Sequence, residues 1–118
     1  MKEEGYKHVI NSTKRWIDYS YPVSVIVDEM LSSGRGWFYD KKIELPTWIN
    51  RYHVSFRIYY VVHELVHCIV GVKHDDTFKR VEDKLLALWD IRIVRKTVYP
   101  REFYYHGKKI RNVPKSTP

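Results

Sequence analysis

The 118-residue sequence predicts a single α+β domain, and three observations carry that reading. An amphipathic helical pattern opens the chain, short β-branched and aromatic runs follow it, and a long apolar helix then leads into a second amphipathic one. Hydrophobic residues make up 44% and charged residues 30%, ordinary globular usage that excludes collagen-like, low-complexity and disordered chains. The length suits one apolar core. The only cysteine, Cys68, rules out an intrachain disulfide and a four-thiolate zinc finger, and points to a reducing compartment.

The elements follow in order. Tyr6, Val9, Ile10, Thr13, Trp16 and Ile17 recur at helical spacing, which predicts a helix over residues 3–19 that Tyr21-Pro22 ends. Residues 23–27, 36–40 and 42–46 predict three short strands, the last two close enough for a hairpin. Gly34 and Gly36 precede the second strand and suit an exposed edge or a backbone that another chain approaches closely. Residues 50–70 predict a helix that is apolar on nearly all sides and central to the core. Asp75, Asp76 or Thr77 can cap a further helix whose apolar face is Phe78, Val81, Leu85, Leu88 and Trp89.

Charge is unevenly placed. The net charge is +7, yet residues 1–90 hold 13 bases and 13 acids, so the excess lies entirely in residues 91–118, with eight bases against Glu102. Tyr99, Phe103, Tyr104 and Tyr105 are interleaved with those bases, a composition that can track phosphates and stack bases, so DNA or RNA is a candidate partner. The plainer reading is a solvated hairpin or tail whose aromatics pack back on the core. The expected division is residues 1–90 as the main domain and residues 91–118 as a basic extension on it, frayed over 113–118. The acidic N-terminus lacks an apolar signal segment, and the apolar stretch at 54–72 is interrupted by Arg57, His63, Glu64 and His67, which leads us to expect a cytoplasmic protein without a membrane span.

The chemistry is concentrated in His63-Glu64-Leu65-Val66-His67, an HExxH pattern. Residues four apart on a helix lie about 40° apart around it, so both imidazoles can share one tetrahedral zinc ion. Glu64 is turned by about 100°, which places its carboxylate beside the metal as a base for the attacking water. A third ligand must come from elsewhere. His74 would lie about 10 Å along a continued helix, so the chain must turn, and Gly71 is placed to end the helix and let it reverse. Glu82 falls in the middle of the next helix's apolar stripe, where an unpaired carboxylate is costly. It is expected as a ligand, as an acceptor from a ligand imidazole, or as a marginal surface residue paired with Lys79 or Arg80. His8 and His53 lack ligand spacing, and His106, Tyr99, Tyr104 and Tyr105 reach the cleft only if the tail folds over it.

The run HELVHCIVGVKHDDTF resembles the active-site segment of SprT-like and related small zincin metallopeptidases. The resemblance implies a minimal zincin-like domain with one zinc ion held by His63, His67 and His74, Glu64 as general base, and peptide-bond hydrolysis as the reaction. It also implies that the strand around residues 36–39 is an edge that binds substrate backbone. The likeness spans residues 23–89, with the metal segment its specific part. The chain lacks the cysteines of the zinc ribbon that many SprT-like proteins carry. A second resemblance, to archaeal minigluzincins, would make Glu82 the third ligand. The rival to an enzyme is a non-catalytic zinc-stabilised domain that binds nucleic acid or a protein partner through residues 91–118.

Overall fold

The computed structural model describes residues 1–114, so most of the expected fraying lies outside the described residues. Three helices and two three-stranded sheets surround one core. Helix α1 (Glu3–Trp16) buries Tyr6, Val9, Ile10 and Thr13 and stops earlier than its hydrophobic repeat suggests. Asp18 takes a positive φ of 53°, which turns the chain away before Tyr21-Pro22 is reached.

Strands β1 (Ser24–Asp28), β2 (Arg35–Trp37) and β3 (Lys42–Pro46) form the first sheet in the order β1-β3-β2. β3 is central, parallel to β1 and antiparallel to β2, with Val25 opposite Ile43 and Gly36 opposite Ile43 on the other side. β2 is therefore an edge strand. It is shorter than expected because Phe38, Tyr39 and Asp40 are spent in the turn, which closes when the Lys41 amide donates to the Trp37 carbonyl at 2.9 Å.

The central helix is also shorter than its apolar run. Residues Thr47–Arg51 form a 3-10 turn, and α2 (Val54–Val70) begins after His53, whose ring accepts from the Ser55 amide at 3.1 Å. That contact gives His53 a capping role. From Ser55 to Cys68 nearly every residue of α2 is buried, because α1, the first sheet, α3 (Asp76–Leu88) and the second sheet all lean on it. Among the described residues, no helix is long and apolar enough to cross a membrane.

The second sheet, β4 (Ile91–Arg95), β5 (Pro100–Tyr105) and β6 (Lys108–Ile110), is an antiparallel meander built from the basic segment. Ile91, Ile93 and Phe103 face inward, and Phe103 lies 5.6 Å from Phe56 and 5.1 Å from Tyr59 between ring centroids. Arg92, Tyr104 and Lys109 share one row across the three strands, with the Arg92 guanidinium 4.0 Å from the Tyr104 ring centre.

Candidate metal centre

Helix α2 brings His63, Glu64 and His67 to one side of the core, with the two imidazoles 5.0 Å apart between centroids. The helix ends at Gly71, whose φ of 109° and ψ of −166° are hard for any residue with a Cβ to adopt. These angles lie outside the left-handed helical region in which many helices end, but they let the chain reverse as expected. The chain reverses, and His74 comes back over the helix, 5.2 Å from His63 and 4.7 Å from His67 between ring centroids. Asp75 then caps α3 by accepting from the Phe78 amide at 3.0 Å. That cap fixes where Phe78 enters the core, and its ring lies 4.6 to 5.0 Å from all three imidazoles.

One nitrogen from each of His63, His67 and His74 lies within 4.8 Å of the others. The Nε2 atoms of His63 and His74 are 3.3 Å apart. Two nitrogens each about 2.0–2.1 Å from a tetrahedral zinc are separated by about 3.3 Å, so this pair already stands at the required edge. The remaining nitrogens explain why. His63 Nδ1 donates to Glu82 Oε2 at 2.5 Å, and His67 Nδ1 donates to the Gly71 carbonyl at 2.9 Å. Carbonyl and carboxylate oxygens only accept, so the proton sits on Nδ1 in both rings and the Nε2 lone pairs are left for a cation.

Burial favours the neutral form of two of the three imidazoles. Burial pushes His67 down to about 4, with the carbonyl of Gly71 opposing and the other two imidazoles reinforcing the shift. His74 is lowered chiefly by burial and then by His63. Glu64 is pushed up to about 7, mainly by burial; the His63 ring opposes and Glu82 adds to the rise. A carboxyl at that position can hold or release a proton near neutrality.

Glu82 is 1% exposed and sits behind His63 rather than beside the convergent nitrogens. Burial raises its carboxyl, but hydrogen bonds and charges from His63 and Arg95 outweigh that and leave it below the ordinary value. Its cationic partner is Arg95, at 2.7 Å, and not Lys79 or Arg80. Sequence spacing singled out Glu82 but gave no sign of Arg95, which comes from another sheet. Of the tail aromatics, Tyr99 reaches the site, 5.8 Å from His63 and 5.7 Å from His74 between centroids. Tyr105 packs against His53 instead, and His106 pairs with Asp90 at 2.5 Å. His8 is exposed on α1. Cys68 is buried and directs its thiol at the Lys42 carbonyl.

Two connected cavities open on these groups. A small one of about 140 Å³ is lined by Ser33, Gly34, Tyr60, Glu64, Tyr99 and the two α2 histidines. It shares Gly34, Glu64 and His67 with a wider cleft of about 270 Å³, bounded by Arg35, Gly36, Trp37 and Val72. The Gly34 amide donates to the Tyr60 hydroxyl at 2.8 Å, which pins the chain just before β2 against α2. A larger depression of about 450 Å³ lies between α3 and the second sheet and contains no imidazole.

The fold is a small α+β domain of three helices and two three-stranded sheets among the described residues. It is similar to the crystal structure of the metallopeptidase zymogen abylysin from Pyrococcus abyssi, with a TM-score of 0.60 and 23% identity over 67% of this chain and 77% of that one. No family model and no curated protein matches the sequence.

Proposed function

We propose that this protein is a zinc-dependent peptidase in which His63, His67 and His74 hold the ion and Glu64 is the general base. The observation that carries the proposal is the convergence of three imidazole nitrogens beside a buried carboxylate at the foot of a cleft. The donor set suits zinc: three imidazoles, two with their other nitrogen already hydrogen-bonded, and one pair at a separation that matches a tetrahedral edge. The likeness in fold to a metallopeptidase and the resemblance of residues 63–78 to SprT-like active-site segments point the same way.

When bound, zinc supplies Lewis acidity to the scissile carbonyl and acidifies the attacking water. The protein's own residues do the rest. Glu64 takes the proton from that water and returns it to the leaving amine, a role its place in the same small cavity as His63 and His67 allows. The free edge of β2 offers backbone groups to an extended peptide, which would add a strand beside Arg35, Gly36 and Trp37. Trp37 and Val72 border the path of its side chains.

Metal analysis of the purified protein should give one zinc per chain. Glu64→Gln should keep the metal and abolish peptide cleavage, whereas cleavage at the wild-type rate would remove Glu64 as base.

A second reading concerns the basic sheet. Arg92, Tyr104 and Lys109 form a row with an aromatic at its centre, and Arg101, Lys109 and Arg111 line a groove of about 280 Å³ that also holds Glu102, paired with Lys109 at 3.2 Å. We propose that this face binds nucleic acid. Binding would weaken steeply with salt, and Arg92→Ala with Lys109→Ala would flatten that slope by about two counterions. A slope unchanged by both substitutions would place any binding elsewhere.

A further inference from the structure

Arg95 ends β4, and its position in the ladder is irregular: the pairing with β5 shifts between Val94 and Arg95. Such a shift re-aims the side chain at that point of a strand. Here it directs the guanidinium across to α3. Nη2 donates to Glu82 Oε1 at 2.7 Å, to Asp83 Oδ1 at 2.8 Å and to the Lys79 carbonyl at 3.4 Å, while Nη1 donates to Asp83 Oδ2 at 3.2 Å. The side chain is 15% exposed, and its Nε is buried with no hydrogen-bond partner among the described residues. A guanidinium held at that cost in stability is doing more than joining a strand to a helix.

What Arg95 holds is the carboxylate that holds His63. Glu82 has two oxygens and each has one directed partner: Arg95 on Oε1 and His63 Nδ1 on Oε2. We propose that Arg95 is a positioning residue of the metal centre: it fixes Glu82 so that the His63 ring keeps its tautomer and presents Nε2 toward His67 and His74. The C-terminal sheet is then a working part of the site, acting through the chain Arg95–Glu82–His63. This inference rests on the metal-centre reading above.

The test uses the full-length protein and measures Zn(II) affinity by competition with a chromophoric chelator, the absorption spectrum of the Co(II) form, and thermal midpoints with and without metal. Arg95→Met should lower zinc affinity by about 10- to 100-fold and alter the Co(II) bands, because partners behind a ligand imidazole act on affinity at that scale. Asp83→Asn leaves the Glu82 contact intact and should change affinity by less than about threefold. The double variant Arg95→Met with Glu82→Gln should bind no more weakly than Glu82→Gln alone, since Arg95 acts through Glu82. If Arg95→Met lowers both thermal midpoints equally and binds zinc as tightly as wild type, Arg95 is only structural and the proposal fails. Additive losses in the double variant also overturn it. Should Arg95→Met not fold, Arg95→Lys decides the matter: a loss of about three- to tenfold supports positioning, and wild-type affinity refutes it. A wild-type chain that binds neither Zn(II) nor Co(II) sinks the metal-centre reading itself, an outcome distinct from an unaffected Arg95 variant.

Discussion

Gly36→Ala is the sharpest perturbation the structure offers. A Cβ at Gly36 would stand 2.1 Å from the Glu64 carbonyl oxygen, 2.9 Å from the Glu64 carbonyl carbon and 3.0 Å from His67 Cβ. Ordinary carbon–oxygen contact needs about 3.3 Å, so β2 would have to lift from α2 by about 1 Å. Two of the three obstructing atoms are helix backbone and cannot swing aside. Over-packing of this kind costs about 1–3 kcal/mol. For a chain of this length, roughly 4 °C per kcal/mol gives a fall in thermal midpoint of about 4–12 °C. Because β2 borders the cleft beside Glu64 and His67, the same shift should raise KM for peptide cleavage more than it lowers kcat. Differential scanning fluorimetry and steady-state cleavage of an unstructured peptide read both effects. A variant with wild-type midpoint and wild-type KM would refute the close seating of β2 on the helix.

Other substitutions test the rest of the framework. Thr13 accepts from the Trp89 indole at 2.9 Å across 76 residues, so Thr13→Val should leave that donor unpaired and cost about 1–3 kcal/mol in urea unfolding. Phe103→Ala removes a ring packed on Phe56 and Tyr59, and should cost about 3–5 kcal/mol; a loss below about 1 kcal/mol would mean that the second sheet is not part of the core. The metal-free protein should show an unusual pH response. His67, depressed from 6.5 to about 4, makes stability fall as pH drops through that window, whereas Glu64, raised from 4.5 to about 7, makes stability fall as pH rises. The two oppose each other between pH 4.5 and 6.5, so metal-free Glu64→Gln should gain stability with pH more steeply there than wild type. Equal slopes in urea titrations would refute the assignment.

The α+β class, the central helix and the His63/Glu64/His67 cluster were legible because each rests on a local pattern: a period of 3.6 for the helices, β-branched and aromatic runs for the strands, and a spacing of four for the imidazoles. His74 was reachable because Gly71 marks where a helix can end, although its actual backbone angles belong to a more extended region than a helical cap. The stripe position of Glu82 required a buried partner, but periodicity within one helix cannot say which distant residue supplies it. Arg95 was illegible for that reason, and Tyr99 could be named only as one of several tail residues that reach the cleft if the tail folds over it, because no local pattern encodes where a second sheet docks. The strand over residues 36–40 was overextended because aromatic residues in a tight turn carry the same propensity as aromatic residues in a strand.

The arrangement of the three imidazoles bears on how the proposed site would take up an ion. His63 and His67 each have Nδ1 locked, by Glu82 and by the Gly71 carbonyl, so their Nε2 atoms are aimed before any cation arrives. His74 differs: among the described residues its only hydrogen-bond-range contact is the nitrogen of His63, and it rides on the short connection between α2 and α3. On the proposed zinc reading, two ligands are held by partners and the third sits on a loop, which predicts that His74 closes last. The core beneath it, from Phe56 through Phe78 to Phe103, is built from apolar side chains packed on one another. Metal removal should therefore leave a folded protein with a lowered thermal midpoint, unlike a zinc finger, which unfolds. His74→Ala should lose affinity while the metal-free protein remains as stable as wild type. Unfolding of the chain by chelator alone would show instead that the ion, and not the aromatic core, sets the positions of α2 and α3.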